Sequence, residues 1–157
     1  MDRIIGIGEY AVSGGLQDIL KTYALSSCVA VVAYSRKNRI LGMVHIALPN
    51  SAIMRDRIIT GPAYYADTGV PLLIREMCLV HGCIKDELEI SVFGGAESIN
   101  SDDVFNIGKK NLEMVEAMLE QMELTVCCSD TGRCLSRSVE ADVATGVVKV
   151  VCQPLCI

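Results

Sequence analysis

Cys28-Val29-Ala30-Val31-Val32-Ala33-Tyr34, then Ser35-Arg36-Lys37-Asn38-Arg39, then Ile40-Leu41-Gly42-Met43-Val44-His45-Ile46-Ala47-Leu48: two apolar runs flank one short charged break. A break of this length between β-branched runs is a hairpin signal, although it lacks the Asn-Gly pair of the tightest turns. Two registers are open. With the turn centred between Arg36 and Lys37, Tyr34 pairs with Arg39 and Cys28 lies directly opposite His45. A tighter Lys37-Asn38 loop sets Cys28 opposite Ala47 and makes His45 its diagonal neighbour. Strand side chains alternate with period two, so either register leaves thiol and imidazole on one face. Their β-carbons would be about 5 Å apart in the first case and roughly 7–8 Å in the second. A loop with an odd number of residues would put them on opposite faces.

Working outward, Ile4-Ile5-Gly6-Ile7-Gly8 and Tyr10-Ala11-Val12 form a strand pattern ended by Ser13-Gly14-Gly15, and Ile19 to Leu25 is a further strand. Pro49-Asn50-Ser51 closes the hairpin, and residues 50–62 read as an irregular surface loop. Residues 63–81 carry helical spacing in Tyr65, Leu72, Leu73, Met77 and Val80, and Pro71 should kink that helix or mark its beginning. Leu88 to Phe93 is a strand ended by Gly94-Gly95. Asn106 to Glu123 is the clearest helix, with Leu112, Val115, Leu119 and Met122 on one face and Glu113, Glu116 and Glu120 outside. Leu124 to Cys128 returns as a strand and Ser129-Asp130-Thr131-Gly132 as a turn. Ser136 to Glu140 and Val147 to Val151 make a last hairpin. Seven or eight strands with two main helices give an α+β layered fold, and residues 1–157 are expected to form a single domain.

Of the 157 residues, 51% are hydrophobic and 21% charged, ample for one sizeable core. Five Tyr, two Phe and no Trp leave aliphatic side chains to fill it. A net charge of −5 argues against a nucleic-acid partner, which would need a basic face. No 18 consecutive residues are apolar, so no membrane insertion is expected. Met1-Asp2-Arg3 leads straight into a β-like run instead of a signal peptide, so a cytoplasmic location with reduced thiols is expected. The eight cysteines then stand for packing, metal or catalysis. Cys127, Cys128, Cys134 and Cys152 are the least poor zinc ligands, but no paired C-x2-C knuckles occur, and no metal or cofactor is expected. Cys78, Cys83, Cys156 and those four read as small apolar filler, with Cys152 and Cys156, near the terminus, open to exposure and oxidation. Gly6-Ile7-Gly8 is discounted as a dinucleotide fingerprint, since Ser13-Gly14-Gly15 stands where a helix should begin.

Only two histidines are present, His45 and His81. His81, at a helix end before Gly82, suits the helix dipole. His45 lies inside an apolar strand, where a neutral imidazole bonded to backbone is the plain alternative to a functional one. Beside Cys28 it could draw off the thiol proton and supply a strong nucleophile. The imidazole then needs a third group to fix its tautomer, for which Thr22 is a candidate and Ser26 and Ser27 are rivals. Backbone amides around Ser27 and Cys28 could face a developing oxyanion. Gly94 and Gly95 end a strand either as a tight turn or where backbone must approach substrate near Cys28.

Gly8-Glu9-Tyr10, Leu25-Ser26-Ser27-Cys28-Val29-Ala30-Val31 and Gly42-Met43-Val44-His45-Ile46-Ala47-Leu48-Pro49 resemble blocks of the CheD family, the chemoreceptor glutamine deamidases. The resemblance continues through Tyr65-Ala66-Asp67, Phe93-Gly94-Gly95-Ala96, Asn106-Ile107-Gly108-Lys109-Lys110-Asn111, Asp130-Thr131-Gly132 and Arg137-Ser138-Val139. It implies a layered α/β/β sandwich and a cysteine amidohydrolase that converts glutamine side chains on the cytoplasmic helices of chemotaxis receptors to glutamate. It also implies Cys28, His45 and Thr22 as the catalytic residues and a CheC-type phosphatase as a second partner. A non-catalytic adaptor and a thiol protease or acyltransferase are the alternatives. Two residues depart from the family pattern, Ser26 and Arg133, which stand where glycines are usual: a positive φ at Ser26 would carry a backbone penalty, and Arg133 adds a charge near the surface expected to meet a partner.

Overall fold

Alternation within the hairpin dictates the layering. In β4 (Val29–Ser35) every residue is buried, and in β5 (Ile40–Ile46) all but the first are. Strands covered on both faces must be central, with a layer on either side. A computed structural model describing residues 1–53, 61–99 and 104–155 has this arrangement. The other strands are β1 (Asp2–Ile4), β2 (Tyr10–Ser13), β3 (Ile19–Leu25), β6 (Leu88–Gly94), β7 (Val126–Thr131), β8 (Leu135–Asp142) and β9 (Val148–Pro154). The helices are α1 (Ala66–Arg75) and α2 (Ile107–Gln121). One sheet runs β2-β5-β4-β6-β7 and the other β1-β3-β8-β9; each mixes parallel and antiparallel pairs.

Val29, Val31, Ala33, Val44 and Ile46 meet the helices through Leu73, Met77, Val115 and Leu119. The opposite faces of the same strands, with Ala30, Val32, Leu41 and Met43, pack on Leu20, Leu25, Val139 and Ala141 of the second sheet. The order of layers is therefore helices, five-stranded sheet, four-stranded sheet: an α+β sandwich of the α/β/β type.

The register is the tighter of the two open to the hairpin. Ser35 pairs with Ile40, Ala30 with His45 and Val29 with Ile46. The Ser35 hydroxyl accepts the Asn38 N–H at 3.2 Å and Arg39 turns left-handed at φ 52°, which closes the short loop.

Several boundaries differ from expectation. Ile4 to Val12 is two strands in different sheets, β1 and β2, joined by a crossing segment over residues 5–9. The first helical stretch, expected over residues 63–81, starts ahead of Pro71: Tyr65 is extended, α1 begins at Ala66, and a wider π turn continues over Glu76–Val80. Ser129 to Thr131 belong to β7, because Phe93 pairs with Asp130 and Gly94 with Thr131; an edge strand tolerates the polar side chains that suggested a turn. The reading of the cysteines as core filler fails for four of them. Cys127, Cys128, Cys134 and Cys152 are exposed, on or beside edge strands β7 and β9, whereas Cys83 is buried and Cys78 half-buried. Cys156 and residues 54–60 of the expected loop lie outside the described residues. No described helix is long and apolar enough to cross a membrane.

Candidate functional site

The space between the two sheets holds one histidine. His45 is 1% exposed and shares the inward face of β5 with Leu41 and Met43. Its backbone is tied to the crossing segment, His45 N–H to the Glu9 carbonyl at 3.0 Å and Gly8 N–H to the His45 carbonyl at 2.9 Å. From the facing sheet comes Thr22 on β3, also fully buried. The Thr22 hydroxyl lies 2.7 Å from the Ile5 carbonyl and 2.7 Å from His45 Nδ1. A carbonyl only accepts, so the Thr22 proton goes to Ile5 and the Thr22 oxygen accepts Nδ1–H. That arrangement alone puts a hydrogen in both contacts. It fixes the Nδ1–H tautomer and leaves Nε2 with a free lone pair, and Nε2 has no partner among the described residues.

Cys28 sits one residue before β4. It is half-buried and packs against the same inter-sheet cluster as Ala30 and Met43. Since Ala30 pairs with His45, Cys28 is the diagonal same-face neighbour of His45. Three successive carbonyls anchor the loop leading to it. Ser26 O accepts Ala96 N–H at 2.7 Å and Cys28 O accepts Gly95 N–H at 2.8 Å. Between them, Ser27 O accepts Asn111 Nδ2 at 2.8 Å. Among the described residues no hydrogen bond engages the N–H of Ser27 or Cys28.

Gly94 and Gly95 therefore meet the backbone of Cys28 itself. Gly94 has φ 104°, and a Cβ there would stand 2.2 Å from the Cys28 carbonyl oxygen, a contact no side chain could relieve. Beside this loop opens a cavity of about 380 Å³, walled by Ser26, Ser27, Ala96, Glu97, Ile107 and Gly108 among others; Cys28 is not in its wall.

Burial shifts both Cys28 and His45 toward neutrality. It pushes the Cys28 thiol above its ordinary 9.0. It holds the His45 imidazole below its ordinary 6.5, against smaller opposing effects of the Ile5 backbone and the Glu9 carboxylate. The resting pair is thus thiol and imidazole, not thiolate and imidazolium.

Elsewhere, His81 caps the end of the π turn, its N–H on the Glu76 carbonyl at 3.2 Å. Ser26 does not have a positive φ, so it carries no left-handed strain, but Arg133 does at φ 54°. The left-handed residue near the loop before Cys28 is Ala24, at the irregularity in β3 pairing between Thr22 and Leu25. Sequence reading assigned no part to Asn111 or the Ile5 carbonyl. Asn111 could have been noticed as a polar residue on the buried stripe Gly108, Asn111, Val115, Leu119 of α2.

Fold and site define an α/β/β sandwich with a thiol, an imidazole and a hydroxyl gathered between its sheets. Comparison with known proteins narrows this. A family model described as "CheD chemotactic sensory transduction" matches residues 47–152. A "Probable chemoreceptor glutamine deamidase CheD" of Syntrophotalea carbinolica is 43% identical over 153 residues, covering 96% of this chain and 94% of that protein. A protein of the same name from Thermococcus kodakarensis is 38% identical, with 96% and 92% covered. The "Chemoreceptor glutamine deamidase CheD" of Thermotoga maritima is 36% identical, with 96% and 91% covered. The chain belongs to the CheD family. Among solved structures, YlmD from Geobacillus stearothermophilus shares the fold at TM-score 0.52 and 7% identity; the match covers 78% of this chain and half of YlmD.

Proposed function

We propose that this chain is a cytoplasmic protein-glutamine deamidase that converts glutamine side chains of chemotaxis receptors to glutamate, with Cys28 as nucleophile, His45 as base and acid, and Thr22 as orienter. The observation that carries the reading is His45: a buried imidazole whose tautomer is fixed by Thr22 and whose Nε2 has no described partner, on the face it shares with Cys28. In this mechanism His45 Nε2 takes the thiol proton as Cys28 Sγ attacks the carboxamide carbon. The C–N bond then breaks and Nε2 returns the proton to the departing ammonia, leaving a thioester. Water gives a proton to the same nitrogen and attacks the thioester. The C–S bond breaks, Nε2 returns that proton to the departing Sγ, and the products are glutamate and a restored Cys28. Because both groups rest neutral, proton transfer accompanies attack and no ion pair waits in advance. The negative oxygen of each tetrahedral intermediate would be met by the N–H groups of Ser27 and Cys28, which no described hydrogen bond consumes.

The names of the relatives support receptors as the substrate. The family resemblance supports a CheC-type phosphatase as a second partner; Phe105, 67% exposed just ahead of the acidic outer face of α2, is our candidate contact. Incubation with cytoplasmic receptor fragments tests the activity: each converted glutamine gains about one dalton and releases one ammonia. Backbone cleavage would point to a protease and binding without mass change to an adaptor. Continued ammonia release by Cys28→Ala at the parental rate would refute the assignment.

A further inference from the structure

Asn111 is wholly buried on α2, one turn beyond Gly108. A Cβ on Gly108 would stand 2.1 Å from the Ala96 carbonyl oxygen, so the helix is seated directly on the backbone of the glycine turn. From that seat Asn111 Nδ2 donates to two carbonyls, Ser27 O at 2.8 Å and Ala47 O at 3.1 Å. Two acceptors around one nitrogen fix the carboxamide, since exchanging its N and O would set oxygen against both. One side chain thereby joins the segment just before Cys28 to the segment just after His45.

We propose that Asn111 is a positioning residue for an oxyanion hole, and that it aims the Cys28 N–H at the substrate oxygen by holding the Ser27 carbonyl. The inference rests on the proposed role of Cys28 as nucleophile. The Ser27 carbonyl and the Cys28 N–H belong to one planar trans peptide unit and point in opposite directions. Whatever grips the carbonyl on the α2 side turns the N–H away from α2. The flanking units are held by backbone, Ser26 O by Ala96 N–H and Cys28 O by Gly95 N–H. The central unit alone is held by a side chain, and it carries the N–H nearest the nucleophilic sulfur.

The test separates attack on a carbonyl from thiol reactivity. Asn111→Leu keeps roughly the volume and removes both donors; Asn111→Ser leaves one hydroxyl donor in a smaller side chain. For each, kcat and KM on receptor fragments are compared with the alkylation rate of Cys28 by iodoacetamide, which displaces iodide and forms no oxyanion. Melting and circular dichroism report folding. Asn111→Leu should lower kcat by about 10- to 100-fold with little change in KM. Its alkylation rate should stay at the parental level, and Asn111→Ser should fall between the two proteins. A folded variant with parental kcat overturns the assignment. So does a parallel loss of alkylation and turnover, or failure of both variants to fold, because each marks a packing role. Turnover by Cys28→Ala would instead sink the underlying nucleophile, whatever the Asn111 variants do.

Discussion

Replacing Thr22 by valine removes one oxygen from the middle of the protein while keeping its shape. Thr22 is fully buried, and its hydroxyl bridges the Ile5 carbonyl and His45 Nδ1 at 2.7 Å each. The valine variant leaves a buried carbonyl and a buried ring N–H unpaired, each costing about 1–3 kcal/mol. The two together should lower stability by about 2–6 kcal/mol, read as a shift in the urea midpoint. Catalysis loses more specifically. The Nδ1–H bond strengthens as Nε2 takes a proton, so its loss falls on kcat, and it no longer holds the tautomer with Nε2 free. A loss of about 1–3 kcal/mol corresponds to roughly 5- to 150-fold in kcat. Thr22→Ser restores the oxygen and gives up one methyl, at about 1 kcal/mol of stability, with kcat close to the parent. Receptor-fragment deamidation, followed by mass at saturating substrate, reads all three proteins. The reasoning fails if the valine variant turns over at the parental rate, or if the serine variant loses as much as the valine.

Three further outcomes are expected. Burial depresses His45 below 6.5 and raises Cys28 above 9.0, so the neutral pair persists between those values. Accordingly the half-maximal points of kcat/KM should lie below pH 6.5, as His45 gains a proton, and above pH 9.0, as Cys28 loses one; an acid limb centred above pH 7 contradicts the burial argument. Arg137 is fully buried, and its one described side-chain partner is Asp130, 3.1 Å away. Asp130→Asn should therefore cost about 3–5 kcal/mol by stranding a guanidinium, and Arg137→Met only about 0–2, since Asp130 is partly solvated and still near Arg133. Equal losses in urea titrations would mean the guanidinium is satisfied elsewhere. Ala24, exposed and left-handed at φ 56°, should gain about 0.5–1 kcal/mol on replacement by glycine; a destabilised Ala24→Gly protein would show that the β3 irregularity does not strain it.

What the sequence disclosed follows the range of its signals. Alternation along β4 and β5 is a local property, and it sufficed to put Cys28 and His45 on one face in either register. It could not choose between the registers, because that choice rests on the Ser35 hydroxyl and a left-handed Arg39. Apolar periodicity located α2 almost to its ends yet ranked its faces imperfectly: Leu112 and Met122 are half-buried, while Gly108 and Asn111 are buried. The exposed cysteines were misread for a related reason. A thiol in a strand counts as apolar in any pattern, but β7 and β9 are sheet edges, and edge position is a property of topology.

The same distinction explains why the hairpin alone would make a poor enzyme. It brings a thiol and an imidazole into reach of each other, but nothing in two strands decides which ring nitrogen carries the proton. That decision comes from β3 of the other sheet and from the segment over residues 5–9 that crosses between sheets, through Thr22 and the Ile5 carbonyl. The aim of the Cys28 N–H comes from the third layer, through Asn111 on α2. In the proposed mechanism each layer of the sandwich thus supplies a group the others cannot: reactive atoms from the central sheet, the tautomer from the outer sheet, loop orientation from the helix. Damage to either outer layer should then leave Cys28 present and alkylable while kcat falls. Thr22→Val and Asn111→Leu should differ in one respect, since only the first disturbs the base and hence slows thiol alkylation as well.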